Sequence, residues 1–427
     1  MRLMHTADWH LGNQMHDIDR REEALAFFGW LKAQIIEKNA DSLIVAGDVF
    51  DTANPPVEAR RQYYAFLASL ADTCCKNVVI VGGNHDSAVL LDSAKELLEV
   101  LNIRVVGAAG NLSPEEMCFT LRGADGEACG ICMAIPFVRE VELRGLLAEK
   151  TDDGDLYGAA YKTLYARVYA AAETLRGGRD IPIVATGHLY AADVEGRLAD
   201  AAGNVRTDDG MKVLDVLGTL GKVPPSVFPP ADYVALGHIH YATAVAKNPA
   251  VRYSGSPFVM GFDEAAIPHF VLCVELSSHG AERHLAVERL ETPQAFVYRR
   301  VSGTLEDIAA ELRTFSALKG GKRTYLEICY KREIGVNAQA FLDEAIAVLP
   351  ENVTVASWKL LEQRNALAQA GFASFDVAEI RNLDDREIFT QLILTKLAEA
   401  GLDAQSDEAK SALERFLPHF LQAAAEA

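Results

Sequence analysis

The sequence predicts an α/β chain: a two-layered β-sandwich core flanked by helices, then a small α+β capping unit and a helical C-terminal tail. Three observations carry that expectation. Five apolar runs typical of buried strands each end in a carboxylate, amide or imidazole, stretches of helical periodicity separate the early runs, and the pattern changes near Thr292-Pro293. At 427 residues the chain exceeds one ordinary domain. It divides on this reading into 1–291 (core), 292–364 (cap) and 365–427 (linker and tail).

Arg2 to Ala7 is the first such run, and it leads into Asp8-Trp9-His10-Leu11-Gly12. From Ile18 to Asn39, the residues Ala24, Phe27, Phe28, Leu31, Ile35 and Ile36 recur at helical spacing and predict a crossover helix. Leu43 to Ala46 then runs straight into Gly47-Asp48-Val49-Phe50-Asp51. A run so apolar reads as a strand covered on both faces, and ligands collect at the carboxyl ends of such strands. A helix follows from about Val57 to Thr73, then the run Asn77 to Val81 into Gly82-Gly83-Asn84-His85-Asp86, then a helix from about Ala88 to Leu101. The stretch Tyr63 to Leu70 is more apolar than one buried face needs, and Leu90, Leu91, Leu97 and Leu98 add to it. Helices 57–73 and 88–101 therefore either cover the sheet or offer a twofold contact for a homodimer.

Strands continue through Ile103 to Val106 and Gly130 to Phe137, and 138–180 reads as a helical insertion centred on Tyr157 to Leu175. Ile181 to Thr186 ends in Gly187-His188, and Asp232 to Leu236 ends in Gly237-His238-Ile239-His240. The stretch 190–229 between them has little regular pattern at first. Phe270 to Leu276 and Arg283 to Leu290 alternate and read as the second half of the two-layered sheet. Beyond Thr292, a strand, a helix (Leu305 to Phe315), a strand (Thr324 to Tyr330), a helix (Asn337 to Val348) and a strand (Val353 to Leu360) form a compact α+β unit without ligand motifs. The tail from Val377 is helical in composition, with Phe389, Leu392, Phe416 and Phe420 among its apolar residues.

Half the residues are hydrophobic and 24% charged, the profile of a globular protein. The chain opens on a strand and no apolar run reaches membrane-spanning length, so a cytoplasmic protein is expected. Seven cysteines without a regular framework imply reduced thiols. Cys129-Gly130-Ile131-Cys132 has zinc-knuckle spacing, yet it lacks a second pair and opens an apolar run, so it reads as buried strand. A net charge of -19 argues against a polyanionic partner on the global field alone. Two divalent ions would return about four positive charges to the pocket, and a partner subunit could supply the remaining groove.

One Asp or His at a strand end is ordinarily a satisfied core residue; five such ends are a constellation. Of eleven histidines, five fall in these motifs. Parallel strands of one sheet would bring the ends side by side. Carboxylate, amide oxygen and imidazole suit borderline-hard ions such as Mn, Fe or Zn, and no cysteine lies in a motif. Asp8, His10, Asp48, Asn84, His188, His238 and His240 exceed the needs of one ion. Two ions about 3.5 to 4 Å apart sharing the central Asp48 are the economical arrangement, and the implied reaction is phosphoester hydrolysis.

In their order, Asp-x-His, Gly-Asp-x-x-Asp, Gly-Asn-His-Asp, Gly-His and Gly-His-x-His resemble the motifs of the calcineurin-like metallophosphoesterases. The longer strings Thr6 to Gly12, Ile44 to Thr52, Ala235 to His240 and Arg252 to Pro257 are similar to bacterial DNA-nuclease members of that family, over about 1–290. The resemblance implies a metallophosphoesterase core with one ion on Asp8, His10, Asp48 and His240 and a second on Asp48, Asn84, His188 and His238. It implies that His85 steadies or protonates the leaving oxygen with Asp51 as its acidic partner, while Asp86 braces its own loop. It further implies a Mn2+-dependent, dimeric double-strand exonuclease and single-strand or hairpin endonuclease acting on DNA ends. The C-terminal helices would then dock on the coiled-coil root of an SMC-like ATPase. A phosphodiesterase or phosphatase for a small substrate would not need the chain beyond Thr292, and a non-catalytic scaffold would not need the full ligand set.

Overall fold

The computed structural model describes residues 1–110, 112–139, 141–143, 156–191, 198–199, 205–206, 223–279, 282–331 and 336–361. The expected linker and partner-binding tail, 365–427, and most of 190–229 lie outside these residues.

The first six-stranded sheet has the order β14-β13-β1-β2-β3-β4. Its strands β1 (Arg2–Thr6), β2 (Ser42–Ala46), β3 (Asn77–Val81) and β4 (Ile103–Val106) are parallel. The hairpin β13 (Phe270–His279) and β14 (Glu282–Glu291) joins β1 antiparallel. The second sheet has the order β11-β12-β10-β7-β6-β5. It comprises β5 (Cys118–Arg122), β6 (Ala128–Met133), β7 (Ile183–His188), β10 (Tyr233–Gly237), β11 (Thr243–Ala244) and β12 (Val251–Tyr253). Among the described residues the short strands β8 (Leu198–Ala199) and β9 (Val205–Arg206) pair only with each other.

Strand pleat sends alternate residues to opposite faces. Leu3, Ile44, Val79 and Val81 point inward and form one core with Ile131, Val184 and Val234 of the second sheet, so the two sheets make a sandwich. Met4, Leu43, Val45, Val78 and Ile80 point outward, where helices α1 (Arg21–Glu37), α2 (Val57–Ser69), α3 (Ala88–Asp92) and α4 (Lys95–Glu99) complete a second core. Helix α5 (Leu156–Arg176) covers β5 and β6 with Tyr161, Tyr165 and Val168. His5 fixes one sheet against the other: Nε2 donates to the Leu236 carbonyl at 3.1 Å, so Nδ1 accepts from the Tyr233 hydroxyl at 2.9 Å. Burial pushes this imidazole down to about 3, which keeps it neutral for that pairing.

Three expectations change. The predicted helix from Ala88 to Leu101 is two short helices, broken where Ser93 Oγ donates to the Leu90 carbonyl at 2.6 Å. The strand β5 is additional; its half-exposed Phe119 and Thr120 gave no clear apolar run. The five ligand-bearing strands do not share one sheet: β1, β2 and β3 belong to the first and β7 and β10 to the second, and the sandwich brings both rims together. Cys129 and Cys132 lie on β6 as free thiols, in keeping with the core reading. Among the described residues no helix is long and apolar enough to cross a membrane.

Residues 1–302, 306–328 and 342–358 form one compact unit. Within it lies most of a three-stranded sheet, β15 (Val297–Gly303), β16 (Thr324–Tyr330) and β17 (Val353–Leu360), and most of helices α6 (Leu305–Thr314) and α7 (Ala338–Ala347), which fall at the expected places. Phe296 and Tyr298 pack there with Met15, Ile18, Val259 and Phe262. The second unit comprises Gly303–Leu305, Cys329–Phe341 and Lys359–Ala427.

Candidate metal centre

Each sequence-predicted ligand sits just beyond or at the carboxyl end of a strand, on loops that are sewn to one another. The Asp8 amide donates to Gly47 O at 3.0 Å, His10 to Asp48 O at 3.0 Å and Leu11 to Val49 O at 2.9 Å, so the loops after β1 and β2 run as one ladder. Trp9 anchors the first loop: its ring packs edge-on against Phe27, Phe28 and Phe66, and its Nε1 donates to Thr6 Oγ1 at 2.9 Å. The backbone is left-handed at Asp8 (φ 54°), His10 (42°), Asp48 (49°) and His238 (101°). Each such residue costs about 1–3 kcal/mol, and four of the seven predicted ligands carry that strain.

Asp48 is the hub. Its Oδ1 accepts the His85 amide at 2.9 Å, leaving Oδ2 at 3.2 Å from His188 Nε2 and 3.7 Å from His10 Nε2. His188 Nδ1 donates to the Ala46 carbonyl at 2.9 Å, so in the neutral ring Nε2 carries the lone pair. That lone pair faces Asn84 Oδ1 at 3.0 Å, and Asn84 Oδ1 also lies 2.9 Å from His238 Nδ1. On the other side of Asp48, His10 Nε2 and His240 Nε2 confront each other at 3.3 Å. Asp8 Oδ1 accepts the His238 amide at 2.9 Å, while its buried Oδ2 has no hydrogen-bond partner among the described residues.

Lone pairs converging at 3.0–3.3 Å repel unless a proton or cation sits among them. These spacings also match neighbouring donors around an ion held at about 2.1 Å. Asp8, His10 and His240 form one group of candidate ligand atoms, and Asp48, His188 and His238 another. Both offer only oxygen and nitrogen, so the residues present fit divalent ions of the Mn, Fe or Zn type. Electrostatics agrees. Burial pushes His238 and His240 down to about 3, keeping their lone pairs available. Burial opposes charge on His188 as well, but Asp48 and Asp8 outweigh it and lift it to about 9. Burial also lifts the Asp8 carboxyl to about 7.

His85 and Asp51 meet, although not as expected. His85 Nδ1 donates to the main-chain carbonyl of Asp51 at 2.8 Å, whereas the Asp51 carboxylate lies 3.2 Å from His10 Nδ1 and accepts from Asn13 Nδ2 at 3.0 Å. The sharp turn after Phe50 presents the carbonyl to one histidine and the side chain to the other. Asp86 does brace its loop, accepting from Gly83, Val49 and Phe50 at 2.9, 3.1 and 2.9 Å. Asn13 was not legible as a site residue, though it directly follows the first motif.

Close approach dictates glycine at 83, where an added Cβ would strike Asp48 Oδ1 and the Asp48 amide. Gly83→Ala is therefore expected to weaken divalent-ion binding about 10- to 100-fold with the fold retained. Calorimetric titration with Mn2+ checks this, and wild-type affinity would contradict it.

A model of the calcineurin-like phosphoesterases matches residues 1–242, and the chain belongs to that family. The SbcD subunit of the SbcCD nuclease of Escherichia coli K12 is 36% identical over 332 residues, covering 77% of each chain. The SbcD subunit from Rhodobacter capsulatus is 33% identical over 362 residues, 82% of this chain and 85% of the relative. That of Bacillus subtilis is 29% identical over 279 residues, 64% and 66% of the two chains. The family branch is thus that of the SbcD nuclease subunits, and the activity is that of a metal-dependent phosphodiesterase with a nuclease role.

Proposed function

We propose that the chain is a two-metal DNA nuclease, a double-strand exonuclease and single-strand or hairpin endonuclease, working with an SMC-like ATPase in DNA end processing, repair and recombination. The observation that carries this reading is the double convergence of carboxylate, amide and imidazole ligand atoms on either side of Asp48 Oδ2. One ion would rest on Asp8, His10, Asp48 and His240, the other on Asp48, Asn84, His188 and His238. Mn2+ is the ion best matched to this mixture of imidazole, amide and carboxylate donors.

Bound there, the ions would supply Lewis acidity, offering positive charge to the phosphate and lowering the pKa of water. Everything else falls to the chain. Asp48 keeps the two ligand groups in register, and the strained loops pay for the geometry before substrate arrives. His85, oriented through Nδ1 by the Asp51 carbonyl, would steady or protonate the leaving oxygen through Nε2 from its imidazolium form, ending as the neutral ring. The Asp51 carboxylate acts on the other side, orienting His10.

The division of labour follows the proposed boundaries: 1–291 for hydrolysis, 292–364 as cap, 365–427 as linker and partner-binding tail. The relatives are named as one subunit of a nuclease called SbcCD, which supports a partner subunit for this chain. A homodimer would use α3 and α4, where Val89, Leu97 and Val100 are 83%, 71% and 79% exposed. In α2 the apolar residues Tyr63, Phe66 and Leu67 are buried in the chain's own core, so α2 would contribute mainly exposed Val57. The net charge of -19 favours the rival small-substrate phosphodiesterase, and one assay separates the two. With Mn2+, hairpin and blunt duplex DNA should be cleaved, and His85→Gln should lower cleavage about 100-fold or more while sparing DNA binding. Turnover of cyclic nucleotides with no cleavage of DNA would overturn the nuclease reading.

A further inference from the structure

Arg20 breaks two local rules. It occupies the residue before α1, where Ser, Thr, Asp or Asn would cap the free amides, and it makes no side-chain cap. It also sets a cation at the positive end of the helix dipole. Neither choice helps α1, and such local conflicts concentrate where a residue serves a site.

What Arg20 does instead is join two regions. Its Nε donates to Glu23 Oε2 at 2.6 Å, and the Tyr298 hydroxyl on β15 donates to the same oxygen at 2.9 Å. Glu23 and Tyr298 are buried, and the guanidinium lies 5.6 Å over the Phe258 ring. From the other side of the fork, Nη1 donates to Asn13 Oδ1 at 3.1 Å. Asn13 Nδ2 donates to Asp51 Oδ1 at 3.0 Å, the same oxygen that lies 3.2 Å from His10 Nδ1. The Asp51 carbonyl holds His85. The Asn13 amide accepts from Arg20 through Oδ1 and donates to Asp51 through Nδ2 at once, and the planar guanidinium presents two separated donors to Glu23 and Asn13.

We infer that Arg20 is a positioning residue: through Asn13 it fixes Asp51, and thereby the rings of His10 and His85, while Glu23 and Tyr298 tie that setting to strand β15. The inference rests on the two-metal reading above. Side chains that orient a metal-binding histidine typically matter 10- to 100-fold, and this chain of contacts reaches both the proposed ligand and the proposed proton donor.

The test uses the full-length protein, Mn2+ and the generic diester bis(p-nitrophenyl) phosphate. Asn13→Ala and Arg20→Met are expected to lower kcat about 10- to 100-fold with KM within about twofold of wild type. Mn2+ titration followed by electron paramagnetic resonance, which needs no turnover, should show one of two ions weakened about tenfold and the other unchanged. Arg20→Lys should recover part of the loss, because one ammonium reaches Glu23 or Asn13 but not both as the fork does. Tyr298→Phe should shift kcat in the same direction. If Arg20→Met fails to fold, Asn13→Ala decides, since it leaves the Arg20–Glu23–Tyr298 group intact. Wild-type kcat and Mn2+ affinity in folded Asn13→Ala or Arg20→Met would overturn the inference. Asp48→Asn run in parallel separates the failures: if it alone is inactive, only the positioning role falls, and if it stays active, the two-metal reading falls and takes this inference with it.

Discussion

Asp48→Asn is expected to cut manganese-dependent cleavage at least about a thousandfold, or about 4 kcal/mol in the barrier. The substitution is nearly isosteric. Asparagine can still accept the His85 amide that Oδ1 accepts at 2.9 Å, so the loop after β3 should keep its place. What disappears is the negative charge of Oδ2, which lies within 3.7 Å of both His10 and His188. In the metal-free protein burial would raise this carboxyl, but His188 and His10 more than offset burial and hold it well below the usual carboxylate range. In the proposed arrangement the same carboxylate would serve both ions, so a single change should weaken both. Wild-type protein should melt higher when Mn2+ is added, because ligand binds the native state alone, and Asp48→Asn should lose most of that increment. A variant that cleaves within about tenfold of wild type would contradict this account.

The second large effect is a pH dependence of metal binding. In the metal-free protein a proton occupies His188 up to about pH 9, and another occupies Asp8 up to about pH 7. Both must leave before an ion can take their lone pairs. Affinity for the ion proposed on His188 should therefore rise about tenfold per pH unit up to about pH 9, and affinity for the ion proposed on Asp8 should rise up to about pH 7. The sign for stability follows from the same shifts. His188 is raised above its unfolded value of 6.5, so its contribution is complete below pH 6.5 and fades as pH climbs through about 9. Asp8 is raised above 3.8 by burial, so its own contribution falls between pH 3.8 and about 7, whereas His5, His238 and His240, pushed down to about 3 by burial, act in the opposite sense up to pH 6.5. Metal-free protein should thus melt lower at pH 9 than at pH 7, where the depressed histidines are neutral in both states, and Mn2+ should recover most at the alkaline end. Calorimetric titrations across that range check both statements, and an affinity flat between pH 7 and 9 would contradict them.

Most of the sandwich was legible because its strands are short, continuous apolar runs ending abruptly in polar residues. Buried Leu43, Ile44, Val45 and Ala46 against Asp48 is the plainest instance. The same plainness hid the partition between sheets, since a run such as Ile183–Ala185 looks alike whichever layer it joins. Side-chain roles were legible where one residue does one thing, as for Asp86 bracing three amides. They were not legible where main chain and side chain of one residue serve different partners. Asp51 gives its carbonyl to His85 and its carboxylate to His10 and Asn13, a distinction set by the backbone turn. The group of Arg20, Glu23 and Tyr298 was equally hidden: Arg20 and Glu23 look like the solvated start of a helix until Tyr298, 275 residues beyond Glu23, is brought against them.

Crystals grown with Mn2+ and measured at the manganese edge put the shared-carboxylate arrangement to its most direct test. The expected anomalous map holds two peaks about 3.5 to 4 Å apart, one beside Asp8, His10 and His240, the other beside Asn84, His188 and His238, with the Asp48 carboxylate between them. A single peak, or two peaks of which only one contacts Asp48, would contradict it.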